Sequence, residues 1–147
     1  MKKELKNTKR KNNKGFSLVE LIVVIAIMAV LMAVLAPAML RYVEKSREQK
    51  DNTAVSEATN AANIALADDN VVQKITGTCT VTVTVDGNGV GTVAAGATNG
   101  APAELVKEIT DTVGNTITIS SKEYKSKTYT ITISGADGVY KATGAWN

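Results

Sequence analysis

From Leu21 to Leu40 the chain runs for twenty residues without a charge or a strongly polar side chain. A helix rises about 1.5 Å per residue, so twenty residues cover about 30 Å, the hydrocarbon thickness of a bilayer. One carboxylate, Glu20, stands at the mouth of this run. Seven basic residues precede it: Lys2, Lys3, Lys6, Lys9, Arg10, Lys11 and Lys14. Three ordinary readings compete. A secretory signal peptide could be cleaved near Ala36-Pro37-Ala38, but its apolar core would span only about 7–15 residues. A plain membrane anchor explains the length but not Glu20. A buried helix of a soluble protein conflicts with so long an unbroken apolar run.

The order is a basic leader, Gly15-Phe16, a short apolar pair Leu18-Val19, Glu20, then a long apolar helix. It resembles the prepilin-type leader of type IV pilins and their pseudopilin relatives, over Lys14 to about Asp51. Pro37 also falls where many members carry a proline. The resemblance implies a membrane aspartyl peptidase that cuts between Gly15 and Phe16 on the cytoplasmic side and N-methylates Phe16. The mature helix would then leave the bilayer and pack with copies of itself. The implied function is a structural subunit of a type IV pilus, serving adhesion, motility or surface interaction. Its implied partners are further copies of the chain, the peptidase/methyltransferase, the pilus assembly platform with its ATPase, and the cytoplasmic membrane. The precursor would be single-pass with a cytoplasmic N-terminus, and the product an extracellular filament. Two alternatives stand beside this: a major pseudopilin of a type II secretion or DNA-uptake system, and an uncut single-pass protein displaying a binding module.

The residues make physical sense of such processing. Met1–Gly15 holds seven basic residues against Glu4, a net +6. That charge favours a cytoplasmic N-terminus and is costly to bring into an apolar filament core. Cutting after Gly15 replaces it with one amine, and a single methylation leaves that amine protonatable. Glu20 lies four residues after Phe16, on the same helix face. It can pair with its own amine or a neighbour's, and the resemblance favours the neighbour. A carboxylate near lipid generally pairs or marks function. Pro37 removes one backbone hydrogen bond and crowds the preceding turn, so a kink or local melting is expected there.

Of 147 residues, those after Gly15 carry ten basic and thirteen acidic side chains, a net −3, which does not suggest nucleic-acid binding. There is no histidine, the commonest general base. Cys79, the single cysteine, reads as a small buried hydrophobe on a strand. No catalytic residue, cofactor or metal site is expected. Asp86, Asn88 and Asp137 invite a calcium reading, but their segments are good turns by themselves. The six aromatics, Phe16, Tyr42, Tyr124, Tyr129, Tyr140 and Trp146, are too sparse to support electron conduction. Tyr129 and Tyr140 read as sheet residues, and Trp146 as a pin for the C-terminal tail.

The expected fold is α+β, pilin-like: a long N-terminal helix, membrane-spanning in its first half and amphipathic in its second, packed on a small antiparallel sheet. The expected division is a removable leader over 1–15, the helix over 16–69 with its apolar segment at about 18–40, and a β-sheet head over 70–147. Arg41–Asp51 reads as a solvated charged exit, supported by Glu44–Arg47 and Arg47–Asp51 pairs. Ala54, Ala58, Ala61, Ala62 and Ala65 then recur at helical spacing, and Asp68-Asp69-Asn70 is expected to end the helix. Strict alternation marks strands at Thr78–Val85, Thr116–Ser120 and Thr128–Ser134, with Val90–Val93 and Val139–Thr143 as return strands. Asp86-Gly87-Asn88-Gly89 and Gly135-Ala136-Asp137-Gly138 read as turns, and Pro102 opens a short helix through Ile109. Ala94–Ala101 and Lys122–Lys127 read as exposed loops where binding specificity would reside.

Overall fold

A computed structural model describes residues 15–96 and 99–147. The leader apart from Gly15 lies outside the described residues, as do residues 97–98 of the loop expected over 94–101; the rest of that span is not simply an exposed loop, since Ala94 and Ala95 continue a strand and Ala101 is buried. Helix α1 spans Leu18–Ala65, 48 residues. Helix α2 (Asp69–Val72) follows, then strands β1 (Cys79–Val85) and β2 (Val90–Ala95), helix α3 (Ala103–Val113), and strands β3 (Thr116–Thr118), β4 (Thr128–Ala136) and β5 (Val139–Trp146). The five strands form one antiparallel sheet in the order β3-β2-β1-β4-β5. The chain divides into two compact units, with the boundary between Met39 and Leu40.

In the first unit every side chain from Phe16 to Met39 is exposed. The backbone stays helical through Pro37. The local melting expected there does not occur. Proline still lacks an N–H, so the Ala33 carbonyl loses the donor it would otherwise receive.

The second unit, Leu40–Asn147, has its own core. Alternation along β1 and β4 sends Cys79, Val81, Val83, Val85, Tyr129, Ile131 and Ile133 to one face, all buried. Against them pack Val55, Ala58, Ala61, Ala62 and Ala65 of α1 and Leu105 and Ile109 of α3. Each fully buried Val, Ile or Leu contributes about 1.5–3 kcal/mol of transfer free energy. The small residues of α1 let helix and sheet approach closely. At Gly144 a Cβ would collide with the Tyr129 ring and Thr59 Oγ1. The opposite face is threonine-rich, with Thr84 paired to Thr128, Thr82 to Thr130 and Thr80 to Thr132. A β-branched threonine suits the pleat, and two of the hydroxyls bond within the protein, Thr82 Oγ1 donating to the Ala94 carbonyl and Thr130 Oγ1 accepting from Asn147 Nδ2.

The turns explain the strand ends. Asp137 (φ 55°) and Gly138 (φ 81°) are both left-handed. This is the two-residue hairpin geometry that matches strand twist, and it lets β4 run to Ala136 where the sequence suggested a turn from Gly135. At the β1–β2 turn the Asp86 carboxylate accepts the N–H groups of Val90 (2.7 Å) and Asn88 (2.9 Å). These bonds, Val90's foremost, hold its carboxyl below the ordinary 3.8. The stabilisation is therefore complete above that value and is lost as pH falls through the lower folded value. The carboxylate is occupied by donors, as an Asx-type turn requires. Burial raises the Cys79 thiol above its ordinary value, in keeping with a packing role.

Three further expectations fail in this unit. Asp68 does not terminate α1 as a misplaced acid. It caps α2, accepting the Asn70 N–H at 2.9 Å, so its charge sits at a favourable helix start. Glu44 and Arg47 do pair, at 3.4 Å, but no Arg47–Asp51 pair forms among the described residues. Nor is Asp51 solvated: it is 1% exposed and accepts the backbone N–H groups of Ser120 (2.9 and 3.1 Å) and Ser121 (2.7 Å).

The sheet's β5 edge is partly closed by α1. Asn63 Oδ1 accepts the Ala142 N–H at 2.9 Å, and Asn63 Nδ2 donates to the Ala142 carbonyl at 3.2 Å. One side-chain amide thus takes the place of a neighbouring strand in the middle of an eight-residue edge. Asn63→Ala is expected to free both groups and promote edge-to-edge association. Light scattering of the purified variant at rising concentration checks this, and unchanged association would count against the role.

Candidate processing and assembly site

Gly15, Phe16 and Ser17 have no helical backbone, and α1 begins at Leu18. The Gly15–Phe16 peptide bond therefore lies just outside the helix, with Phe16 90% exposed. A peptidase needs backbone free of helical hydrogen bonds, and this junction offers it. A Cβ on Gly15 would meet nothing within 4 Å. This chain's own packing therefore does not require glycine at that position. Any such requirement belongs to whatever reads the junction from outside.

The helix start is built by Ser17 and Glu20. Ser17 Oγ accepts the Val19 N–H at 3.3 Å, and Glu20 Oε2 accepts the Ser17 N–H at 2.9 Å. Ser17 O takes the first helical bond, from the Leu21 N–H at 3.2 Å. This is a variant of the capping box, in which Ser17 accepts from the second helical residue and Glu20 reaches back to the N–H of the cap residue. Glu20 also places negative charge on the positive end of the helix dipole. Sequence reasoning assigned Glu20 a charge partner and overlooked Ser17. The signal was present in Ser17-Leu18-Val19-Glu20, a Ser-x-x-Glu pattern before an apolar run.

The geometry leaves room for both the cap and the expected charge partner. The cap marks where the helix begins, and the preceding residue pair lies outside it. Glu20 Oε2 is used by the cap, while Oε1 has no hydrogen bond among the described residues. One carboxylate can therefore hold its own helix start and still accept an incoming amine. The cap survives removal of everything before Phe16, because Ser17 keeps its peptide N–H. Ser17→Ala is expected to cost the helix about 1 kcal/mol and to let its first turn fray. Amide exchange at Val19 and Leu21, whose N–H groups bond Ser17, should rise several-fold, and unchanged exchange would remove Ser17 from the cap.

A family model described as the prokaryotic N-terminal methylation motif matches residues 10–36. The match begins in the basic leader, crosses the Gly15–Phe16 junction and the Ser17/Glu20 cap, and ends one residue before Pro37. The chain carries a prepilin signature. It is the signature of type IV pilin precursors, and the long apolar helix packed through its later half on an antiparallel sheet is a pilin-like α+β arrangement. No solved structure matches the chain. The matched span includes Gly15, Phe16 and Glu20. A helix so apolar and so exposed also fits a membrane-held precursor.

Proposed function

We propose that this chain is a structural subunit of a type IV pilus, cut between Gly15 and Phe16 and polymerised through α1. The observation that carries the proposal is the meeting, at one helix start, of an exposed non-helical Gly15–Phe16 junction, a capped Glu20 and the prepilin signature. The precursor sits in the cytoplasmic membrane with its basic leader inside. A prepilin peptidase removes Met1–Gly15 and methylates Phe16, and an assembly platform with its ATPase extracts the mature chain into a surface filament. Moving the helix from lipid to a bundle of like helices exchanges one apolar surrounding for another. Packing and polar pairing therefore decide the outcome. The Phe16 amine of one subunit and Glu20 of the next supply that pairing, and Pro37 supplies a point of bending. The sheet unit is displayed outward. The role is structural and needs no catalytic group or cofactor.

Intact mass and N-terminal sequencing of the mature protein from cells test the reading. Loss of Met1–Gly15 with one methyl on Phe16 is the expected result, together with filaments visible by electron microscopy. A functional protein that retains Met1 would overturn it in favour of an anchored display module. Processed protein confined to short periplasm- or wall-spanning rods would favour a pseudopilin.

A further inference from the structure

A second feature lies where the apolar run ends. An open groove of about 520 Å³ is lined by Leu40, Arg41, Val43 and Arg47 of α1, with Lys122 from the β3–β4 connection, and three carboxylates also border it. Two of those carboxylates are already engaged. Glu44 accepts the Lys122 backbone N–H through Oε1 and pairs with Arg47 through Oε2. Glu123 pairs with Lys127 at 2.6 Å. Glu48 forms no ion pair among the described residues, and neither do Arg41 and Lys122. The groove thus combines a strip of apolar surface from Leu40 and Val43 with two unpaired cations, Arg41 and Lys122, against one unpaired carboxylate, Glu48. The same loop carries one further cation without an ion pair among the described residues, Lys125.

The position is as informative as the charge. Leu40 is the last residue of the apolar run. Arg41 to Glu44 follow within about 6 Å along the helix axis, which is the depth of a headgroup layer beside a 30 Å hydrocarbon core. Arginine in this zone can lay its stem on apolar surface and direct its guanidinium to a phosphate. We infer that this groove binds the phosphodiester headgroup of an anionic phospholipid in the leaflet opposite the leader, holding the Leu40–Asn147 unit against the membrane until the subunit is extracted. The inference rests on the membrane-inserted precursor of the proposed function. It makes release from anionic lipid part of assembly: each cation near such a surface favours the bound state by about fivefold.

The test uses the full chain in vesicles of phosphatidylcholine, with and without phosphatidylglycerol, read by amide hydrogen exchange at residues 122–127. Exchange there is expected to slow by about five- to twenty-fivefold in the anionic vesicles, as one or two cations at about fivefold each allow. It should return to the phosphatidylcholine rate in Arg41→Gln/Lys122→Gln. It should also return at about 1 M salt, where the Debye length falls to about 3 Å. The salt arm keeps the result interpretable if the double variant is misfolded. The leader is the same in every arm and is not read by these amides. Equal rates in both lipids, or slowing that survives both the double variant and salt, would overturn the inference. Slowing by inorganic phosphate in phosphatidylcholine would assign the groove to a free anion instead. Slowing that tracks protein-to-lipid ratio would assign it to a second copy. Both results reject lipid as the occupant. A chain that does not float with either vesicle fails the membrane reading itself, which separates that failure from this one.

Discussion

Replacing Glu20 by valine is expected to lower filament assembly by more than about a hundredfold, because removing one member of a desolvated ion pair costs about 3–5 kcal/mol. Membrane insertion and cleavage after Gly15 should persist, since neither needs the carboxylate. The structure adds a second consequence, because valine also removes the acceptor for the Ser17 N–H. Glu20→Gln separates the two effects. Its side-chain carbonyl can still accept that N–H, but it has no charge to offer an amine. If the charge pair drives assembly, glutamine and valine variants should be equally poor in sheared-filament yield while both are processed normally. If the cap is what matters, glutamine should assemble close to wild type. Normal yield from both variants would remove Glu20 from assembly altogether.

The second large effect is expected at Asp51. Asp51→Ala should destabilise the Leu40–Asn147 unit by about 3–5 kcal/mol, because it strands two N–H donors, each costing about 1–3 kcal/mol when left unpaired. With a urea dependence of about 1–3 kcal/mol/M, the unfolding midpoint should fall by about 2 M. Trp146 is a suitable reporter. Its ring stacks on Tyr124 with centroids 4.2 Å apart and meets Tyr129 edge-on at 5.2 Å. Its Nε1 donates to Asn52 Oδ1 at 2.8 Å, and Asn52 Nδ2 donates to the Tyr124 hydroxyl at 3.0 Å. The aromatic cluster is thus held by the helix turn that begins at Asp51, and its near-ultraviolet signal should disappear with the same midpoint. A shift equivalent to less than about 1 kcal/mol would mean that water replaces the carboxylate at modest cost.

What was legible in the sequence was whatever a local period or a compact motif carries. The apolar run announced a long helix because no soluble core covers twenty such residues in succession. Alternation in Cys79–Val85 and Thr128–Ile133 announced strands because side chains on a strand change face at every residue. The alanines at 54, 58, 61, 62 and 65 announced the face of α1 that meets the sheet. Trp146 was recognised as a pin, but not its partners Asn52 and Tyr124, which lie far away in sequence. Asp51 was misread for the same reason. Within a charged stretch it looks like its neighbours, and only the path of Ser120 and Ser121 across the helix makes it an acceptor rather than a surface charge. Asn63 gave no local sign of closing a sheet edge either, because a strand 79 residues away supplies the groups it binds.

By itself, then, the sequence determined a prepilin-type N-terminus, a helix that must be covered by lipid or by other chains, and the two faces of the main strands. These follow from transfer free energy and side-chain period, both of which act over a few neighbouring residues. The tertiary structure alone decided which polar groups are buried, how the sheet's edge is blocked and which cations remain unpaired beside Leu40. Each of these depends on hydrogen-bond and charge partners brought together from distant parts of the chain, and no local pattern encodes that meeting.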